Sequence, residues 1–250
     1  MEKHVEVPGF SRTRCLQTRP RRIVSLVPSL TEALFALGLG ENVVGCTEWC
    51  VHPQERVSTL PKVGGPKNPR MALIRELSPD LVIANQEENR KIDIERLEAA
   101  GFTVWVSFPR TVAAGVELLR RLAELAGLPQ SGELQGRPIP DSALSVIAEC
   151  ERALEQARAR ACQQGECQHG ECQRRESPRV FCPIWRDPWM SIGRATYIHD
   201  LLTQCGGENI FGNHQDTRYP KLELSEVVEL QPQVVLLPDE PFKFSEIDAQ

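Results

Sequence analysis

The fold is decided by the stretch Arg21–Cys46, RRIVSLVPSLTEALFALGLGENVVGC. Its first part, Arg22–Val27 (RIVSLV), is apolar and β-branched, the composition of a buried strand. Ser29–Glu32 (SLTE) has capping-box spacing, so a helix is expected to open there, with Ser29 and Glu32 satisfying its orphan amides. The helix stops at glycine. Asn42–Cys46 (NVVGC) then reads as a second strand.

Working outward, the alternation continues. Met71–Leu77 reads as a short helix and Asp80–Ala84 as a third strand. Ile92–Gly101 is a helix with a glycine stop, and Phe102–Ser107 a fourth strand. Thr111–Gly127 is a long amphipathic helix with Val112, Val116, Leu119, Leu122 and Ala126 near helical spacing. Strands alternating with helices imply an α/β fold with a mostly parallel, doubly wound sheet. The middle differs. Asp141–Glu176 begins as a helix in which Leu144, Ile147, Ala148 and Leu154 share a face, and it ends in the repeat CQQGECQHGECQ. Alternation resumes with strand Arg179–Trp185, helices Ala195–Gly207 and Leu224–Leu230, and strand Gln233–Pro238. The expected plan is an α/β lobe over 21–128, a linker and long helix over 129–176, and a second α/β lobe over 177–250. That second lobe offers two clear strands, fewer than a sheet normally has. It therefore reads as truncated, with a final strand and helix missing or supplied by a partner.

Bulk properties narrow the function. The chain has 250 residues, 41% hydrophobic and 25% charged, with net charge −5. This is a globular composition, and without a basic block nucleic acid is a poor partner. No stretch approaches the roughly 18 apolar residues of a membrane helix, and the first residues lack the apolar run of a signal peptide. A cytoplasmic location is expected, with the nine cysteines mostly reduced.

In open α/β sheets, ligands collect beyond the carboxyl ends of strands. The segments following the strands are PSLTE, Thr47–Pro53, NQEENR from Asn85 to Arg90, Phe108–Thr111, Arg186–Arg194 and Asp239–Phe244. The loops Gly64–Arg70 and Asp216–Pro220 are also polar and aromatic. The candidate ligand-binding residues are therefore Trp49, Asn85, Glu87, Asn89, Arg90, Arg110, Trp185, Trp189, Arg218, Tyr219 and Glu240. Trp105 lies within a strand and reads as core. Asn85 and Asn89 read as hydrogen-bonders to ligand amides. Glu87 and Arg90 read either as ligand contacts or as a helix-start cap and a lobe-bridging pair. Aromatic faces beside amides suit large, flat, partly apolar ligands.

Taken together, RRIVSLVPSLTEALFALGLGENVVGCTEWCVHP, ELSPDLVIANQEENR, VWVSFPRT, WRDPWMSIG, YIHDLLTQCGGENIF and RYPKLELSEVVELQPQVVLLPDEPF resemble the cobalamin and ferric-siderophore receptors of ABC importers. The similarity is greatest to the cobalamin-binding branch and covers about Arg21 to Phe244 apart from the cysteine insert. The resemblance implies a periplasmic-binding fold, two lobes joined by one long helix with a ligand cleft between them. It implies that Trp49 and the Trp185/Trp189 pair face the ligand, a corrinoid held without catalysis and with no catalytic cofactor. Importer-linked members carry one docking glutamate per lobe. Here those positions fall at Ala72 and Ala195, with Glu76 near, so docking on a permease is in doubt. The alternative ligands are haem or an anionic ferric siderophore, for which Arg70, Arg90, Arg110, Arg186, Arg194 and Arg218 are available.

Two further readings are weaker. Cys162, Cys167 and Cys172, with His169 between, carry metal-ligand chemistry. Yet a five-residue step turns a helix by about 140°, so they share no face, and the repeat reads as expansion in a connector. An enzyme acting on a tetrapyrrole-like substrate is the alternative of another class. However, there is no GxSxG, HExxH or phosphate loop, adjacent Glu87 and Glu88 would point apart in extended chain, and His199 reads as a structural hydrogen-bonder.

Overall fold

The computed structural model describes residues 10–12, 16, 18–129, 136–163, 177–214 and 217–249. In chain order the elements are β1 (Phe10–Arg12), β2 (Ile23–Ser25), α1 (Pro28–Ala36), β3 (Val43–Cys46), α2 (Gln54–Val57), β4 (Gly64–Gly65), β5 (Asn68–Pro69), α3 (Met71–Leu77), β6 (Leu81–Asn85), α4 (Lys91–Ala99), β7 (Val104–Ser107), α5 (Val112–Gly127), α6 (Asp141–Gln163), β8 (Arg179–Phe181), β9 (Pro183–Trp185), β10 (Met190–Ser191), α7 (Tyr197–Gln204), β11 (Glu208–Asn209), α8 (Leu224–Glu229) and β12 (Val234–Val235). They fall into two compact units, residues 1–109 with 114–150 and residues 110–113 with 151–250. The division lies within α6.

The first unit is built on a five-stranded sheet of order β1-β7-β6-β2-β3. The four strands expected from the sequence are mutually parallel, and β1 adds an antiparallel edge beside β7. Both faces are buried, which is why the strands read as continuous apolar runs. Ile23, Val43, Leu81, Ile83 and Trp105 pack with α1, α5 and the start of α6. Alternate residues Val24, Val82, Ala84, Val104 and Val106 pack with Ile74 of α3 and Ile94 and Leu97 of α4. The chain winds from β2 outward to β3, then returns to β6 and goes on to β7. The sheet's switch point therefore lies between β2 and β6, where a crevice opens beyond the carboxyl ends.

Two local expectations are corrected. Helix α1 opens one residue early, with Pro28 in its first turn and Val27 as an N-cap that offers no side-chain bond. Proline supplies helical φ and lacks the N–H that a cap would satisfy, so the Ser29/Glu32 capping box does not form. The helix ends as expected at Gly38, whose φ of 78° suits glycine. In α6 Ile147 is buried as expected, but Ala143 joins it in the core while Leu144 is 48% exposed.

The second unit holds a parallel sheet of order β11-β8-β12 and a separate antiparallel pair, β9 with β10. The single strand expected over Arg179–Trp185 is interrupted at Cys182, whose carbonyl accepts the Ser191 hydroxyl at 2.8 Å. Helix α7 is capped by Thr196, which accepts from the His199 amide, and α8 by a Glu223/Glu226 capping box. Two small cores form, one around Val180, Ile184, Ile192 and Leu202, the other around Phe181, Phe211, Leu222 and Val227.

The α6 assignment is directly testable. Ile147→Ala is expected to cost about 2–5 kcal/mol, and Leu144→Ala less than about 1 kcal/mol, by urea denaturation. Comparable costs at the two positions would restore the stripe read from the sequence.

Candidate ligand-binding site

Asn85 and Asn89, at and just beyond the carboxyl end of β6, were expected to hydrogen-bond ligand amides. Both amides are instead occupied by the protein. Asn89 is buried; its amide donates to Leu26 O at 3.2 Å and to Pro66 O at 3.0 Å, while its oxygen accepts from Asn85 N at 2.8 Å. Asn85 closes an Asx turn: its oxygen accepts from Glu87 N at 2.8 Å, and its amide donates to Ser107 Oγ at 3.2 Å. Arg90 stays with its own helix, 2.7 Å from Asp93, a carboxylate only 3% exposed that Arg96 also reaches at 3.3 Å. The Glu87 carbonyl accepts from Lys67 Nζ. The NQEENR stretch is thus a brace at the carboxyl edge.

The exposed aromatic residue on this edge is Trp49, with 69% of its surface open to solvent. Its loop is held from below. The Glu48 amide donates to Gly64 O at 3.0 Å, Arg70 pairs with the Glu48 carboxylate at 2.6 Å, and a side chain at Gly65 would lie 3.4 Å from Trp49 Nε1. Glycine there lets the indole lie close over the β4–β5 hairpin. Arg110 is exposed in the second unit.

In the second unit the expected tryptophans belong to a larger aromatic group. Trp185 meets Phe242 edge-on at 5.7 Å, Trp189 stacks on Phe244 at 5.9 Å and 13°, and Phe242 and Phe244 are 4.7 Å apart. Arg186 lies over the Trp189 ring at 5.9 Å and is fixed by Asp248 at 2.5 Å. Trp185 keeps an exposed face, while Trp189 also packs on the Phe211 core. Glu240 is exposed on the loop that carries Phe242 and Phe244. Those two phenylalanines were not singled out from the sequence, although DEPFKF spaces them two apart, as aromatic neighbours on one side of an extended chain.

Beside α7 lies a cavity of about 440 Å³ lined by Arg194, Ala195, Gly212, Asn213, His214, Thr217 and Arg218. Gly193 creates it. Its amide donates to Arg218 O at 2.7 Å, and a side chain there would fall 2.3 Å from Thr217 O. This close approach brings Arg194 and Arg218 to one cavity. Arg218 is fixed by a bond to Ala195 O at 2.9 Å and sits 5.4 Å from the Tyr219 ring. The two guanidinium groups give this cavity a positive charge, which suits carboxylate or phosphate. Nearby, burial and the Arg194 charge lower the His199 pKa, with Asp200 opposing. His199 Nδ1 lies 3.2 Å from the Asn209 amide, the structural contact expected of it. Ala72 and Ala195, the two positions expected for docking glutamates, are both exposed.

Among the described residues no three His, Cys, Asp or Glu side chains converge on a metal site. Cys167, Cys172, His169 and the Cys162 side chain lie outside the described residues. No described helix is long and apolar enough to cross a membrane.

The periplasmic binding protein model matches residues 23–243. The chain belongs to the periplasmic binding protein family. It is 27% identical over 230 residues to the vitamin B12-binding protein of Pectobacterium carotovorum, covering 91% of this chain and 75% of that one. Among solved structures it resembles the periplasmic vitamin B12 binding protein of Vibrio cholerae, with TM-score 0.72, 22% identity and coverage of 89% and 78%. It also resembles an apo periplasmic heme-binding protein from Roseiflexus, with TM-score 0.68, 26% identity and coverage of 87% and 76%. These bear out the resemblance seen in the sequence and the two-lobed α/β fold. Such relatives are binding proteins and not enzymes, so the chain is a non-catalytic member. The names of both solved structures carry the word periplasmic, which lends no support to the cytoplasmic expectation.

The brace and the exposed indole separate by stability. Asn89→Ala, which strips one buried and one half-buried carbonyl and an amide of their partner, is expected to cost about 1–3 kcal/mol. Trp49→Ala is expected to stay within about 0.5 kcal/mol. Denaturant titration of the purified variants measures both, and an unperturbed Asn89→Ala protein would return that amide to the list of ligand contacts.

Proposed function

We propose that this protein is a substrate-binding protein for a corrinoid of the cobalamin type, held without chemical change and without a catalytic cofactor. The observation that carries the reading is the match to a vitamin B12-binding protein along 91% of the chain. The aromatic group of the second unit supports it, since a corrinoid is a broad apolar disc rimmed by amides and stacking surfaces suit it. Trp49, Trp185, Trp189, Phe242 and Phe244 are the contact candidates in this reading. The exposed alanines at positions 72 and 195 support a member that does not use paired glutamates to dock on a permease.

One observation favours a second reading. The Arg194/His214/Arg218 cavity suits the carboxylates of haem, and the similarity to a heme-binding protein at 26% identity points the same way. An anionic siderophore would use the same cations.

Calorimetry and visible spectroscopy with cobalamin decide between them. Saturable heat with a spectral change is expected, and Trp185→Ala should weaken binding about tenfold, about 1.4 kcal/mol. Silence with both cobalamin and cobinamide would overturn the corrinoid reading. Binding of haem alone, weakened by Arg218→Ala, would establish the second.

A further inference from the structure

Beneath the Trp49 loop two cysteines meet. Cys46 is the last residue of β3, held rigidly: its amide donates to Pro61 O at 3.1 Å and its carbonyl accepts from Val63 N at 2.9 Å. Four residues on, a turn closed by the Cys50 amide on Thr47 O at 3.2 Å folds the chain back. Cys50 thereby packs against Cys46 in one small buried cluster with Val57. The Thr31 and Thr47 hydroxyls each lie 3.1 Å from Cys50 Sγ. Lys62 Nζ lies 3.4 Å from Cys46 Sγ and 3.2 Å from Cys50 O.

We propose that Cys46 and Cys50 form a redox-active dithiol that a small peroxide converts to a disulfide across the base of the Trp49 loop. The surroundings favour one sulfur as nucleophile. The Cys46 contact, and with it the Thr31 and Thr47 hydroxyls, lowers the Cys50 thiol against the opposing effect of burial, while Cys46 is raised by Cys50 and by burial against the lowering effect of Lys62. A thiolate near neutral pH is the reactive form. Both sulfurs are buried, but Cys50 sits on a loop whose Glu48, Trp49, Val51 and His52 face solvent, and hydrogen peroxide is little larger than water. Cys182 is a contrast within the same chain. It too is buried, but only desolvation acts on it, pushing its thiol up to about 11.

The chemistry balances with hydrogen peroxide as oxidant. Cys50 thiolate attacks one peroxide oxygen; an S–O bond forms, the O–O bond breaks, and hydroxide leaves to become water with the proton Cys50 had released. The resulting sulfenic acid is attacked by the Cys46 sulfur; an S–S bond forms, the S–O bond breaks, and the departing hydroxide takes the Cys46 proton. Two thiols and one peroxide become one disulfide and two waters.

The test treats the whole reduced protein with hydrogen peroxide at neutral pH, quenches with an alkylating agent, and digests with trypsin. Both cysteines lie on the peptide Ile23–Arg56. Expected is loss of two mass units and of both alkyl groups from that peptide, at least tenfold faster than Cys182 is modified, with dithiothreitol restoring both thiols. A Cys46→Ser protein should instead trap Cys50 sulfenic acid with dimedone. If that variant does not fold, the mass measurement on the unaltered chain decides alone. Cys46 and Cys50 still alkylated while Cys150 or Cys205 is oxidised would overturn the proposal, as would disulfides joining either residue to any other cysteine.

Discussion

One side-chain amide organises the carboxyl edge of the first unit. Asn89 reaches across the point where the winding of the sheet reverses and ties three segments together: the end of β2, the β4–β5 hairpin and the start of its own loop. A parallel sheet leaves its strand-end carbonyls unsatisfied there, and an unmade buried bond costs more than a made one gains. The brace answers that need from within the chain. The loop bearing Trp49 rests on the same hairpin through Glu48 and Gly64, so its exposed indole stands on a platform that this amide helps to fix.

The second unit solves a different problem with smaller sheets. Its strands are only two or three residues long, too short to build a site by sheet geometry alone. Loops carry the chemistry instead, and each is pinned. Arg186 is held by Asp248, the Trp189 ring by Phe244, and the Arg218 segment by its close approach to Gly193. The aromatic group and the cationic cavity are therefore separate surfaces with separate supports, one offering stacking area and the other charge.

The strands were legible because both sheet faces are buried, so every position of β2, and of β6 before Asn85, had to be apolar or small. Helix starts were less so. Ser29 and Glu32 satisfied a spacing rule, but Pro28 set the backbone one residue earlier. Leu144 lost its place in the core to Ala143 because a helical stripe read from large residues alone overlooks a small one that lets elements approach. At the site, the tryptophans stood out by type, whereas Phe242 and Phe244 matter through partners more than fifty residues away, which no local pattern encodes. For Asn89, position at a strand end says where a polar group is, whereas its partners on three separate segments are not written in any local pattern. Cys46 and Cys50 were passed over among nine cysteines because their meeting depends on a turn.

The mutual packing of Trp185, Trp189, Phe242 and Phe244 has a kinetic consequence. Rings already locked against one another have little rotamer freedom left to lose, so a ligand laid on them meets a surface that is ready before it arrives. The cost of ordering has been met during folding. Association should then proceed without a slow rearrangement of these side chains, and differences among related ligands should appear in how long each stays and not in how quickly it lands.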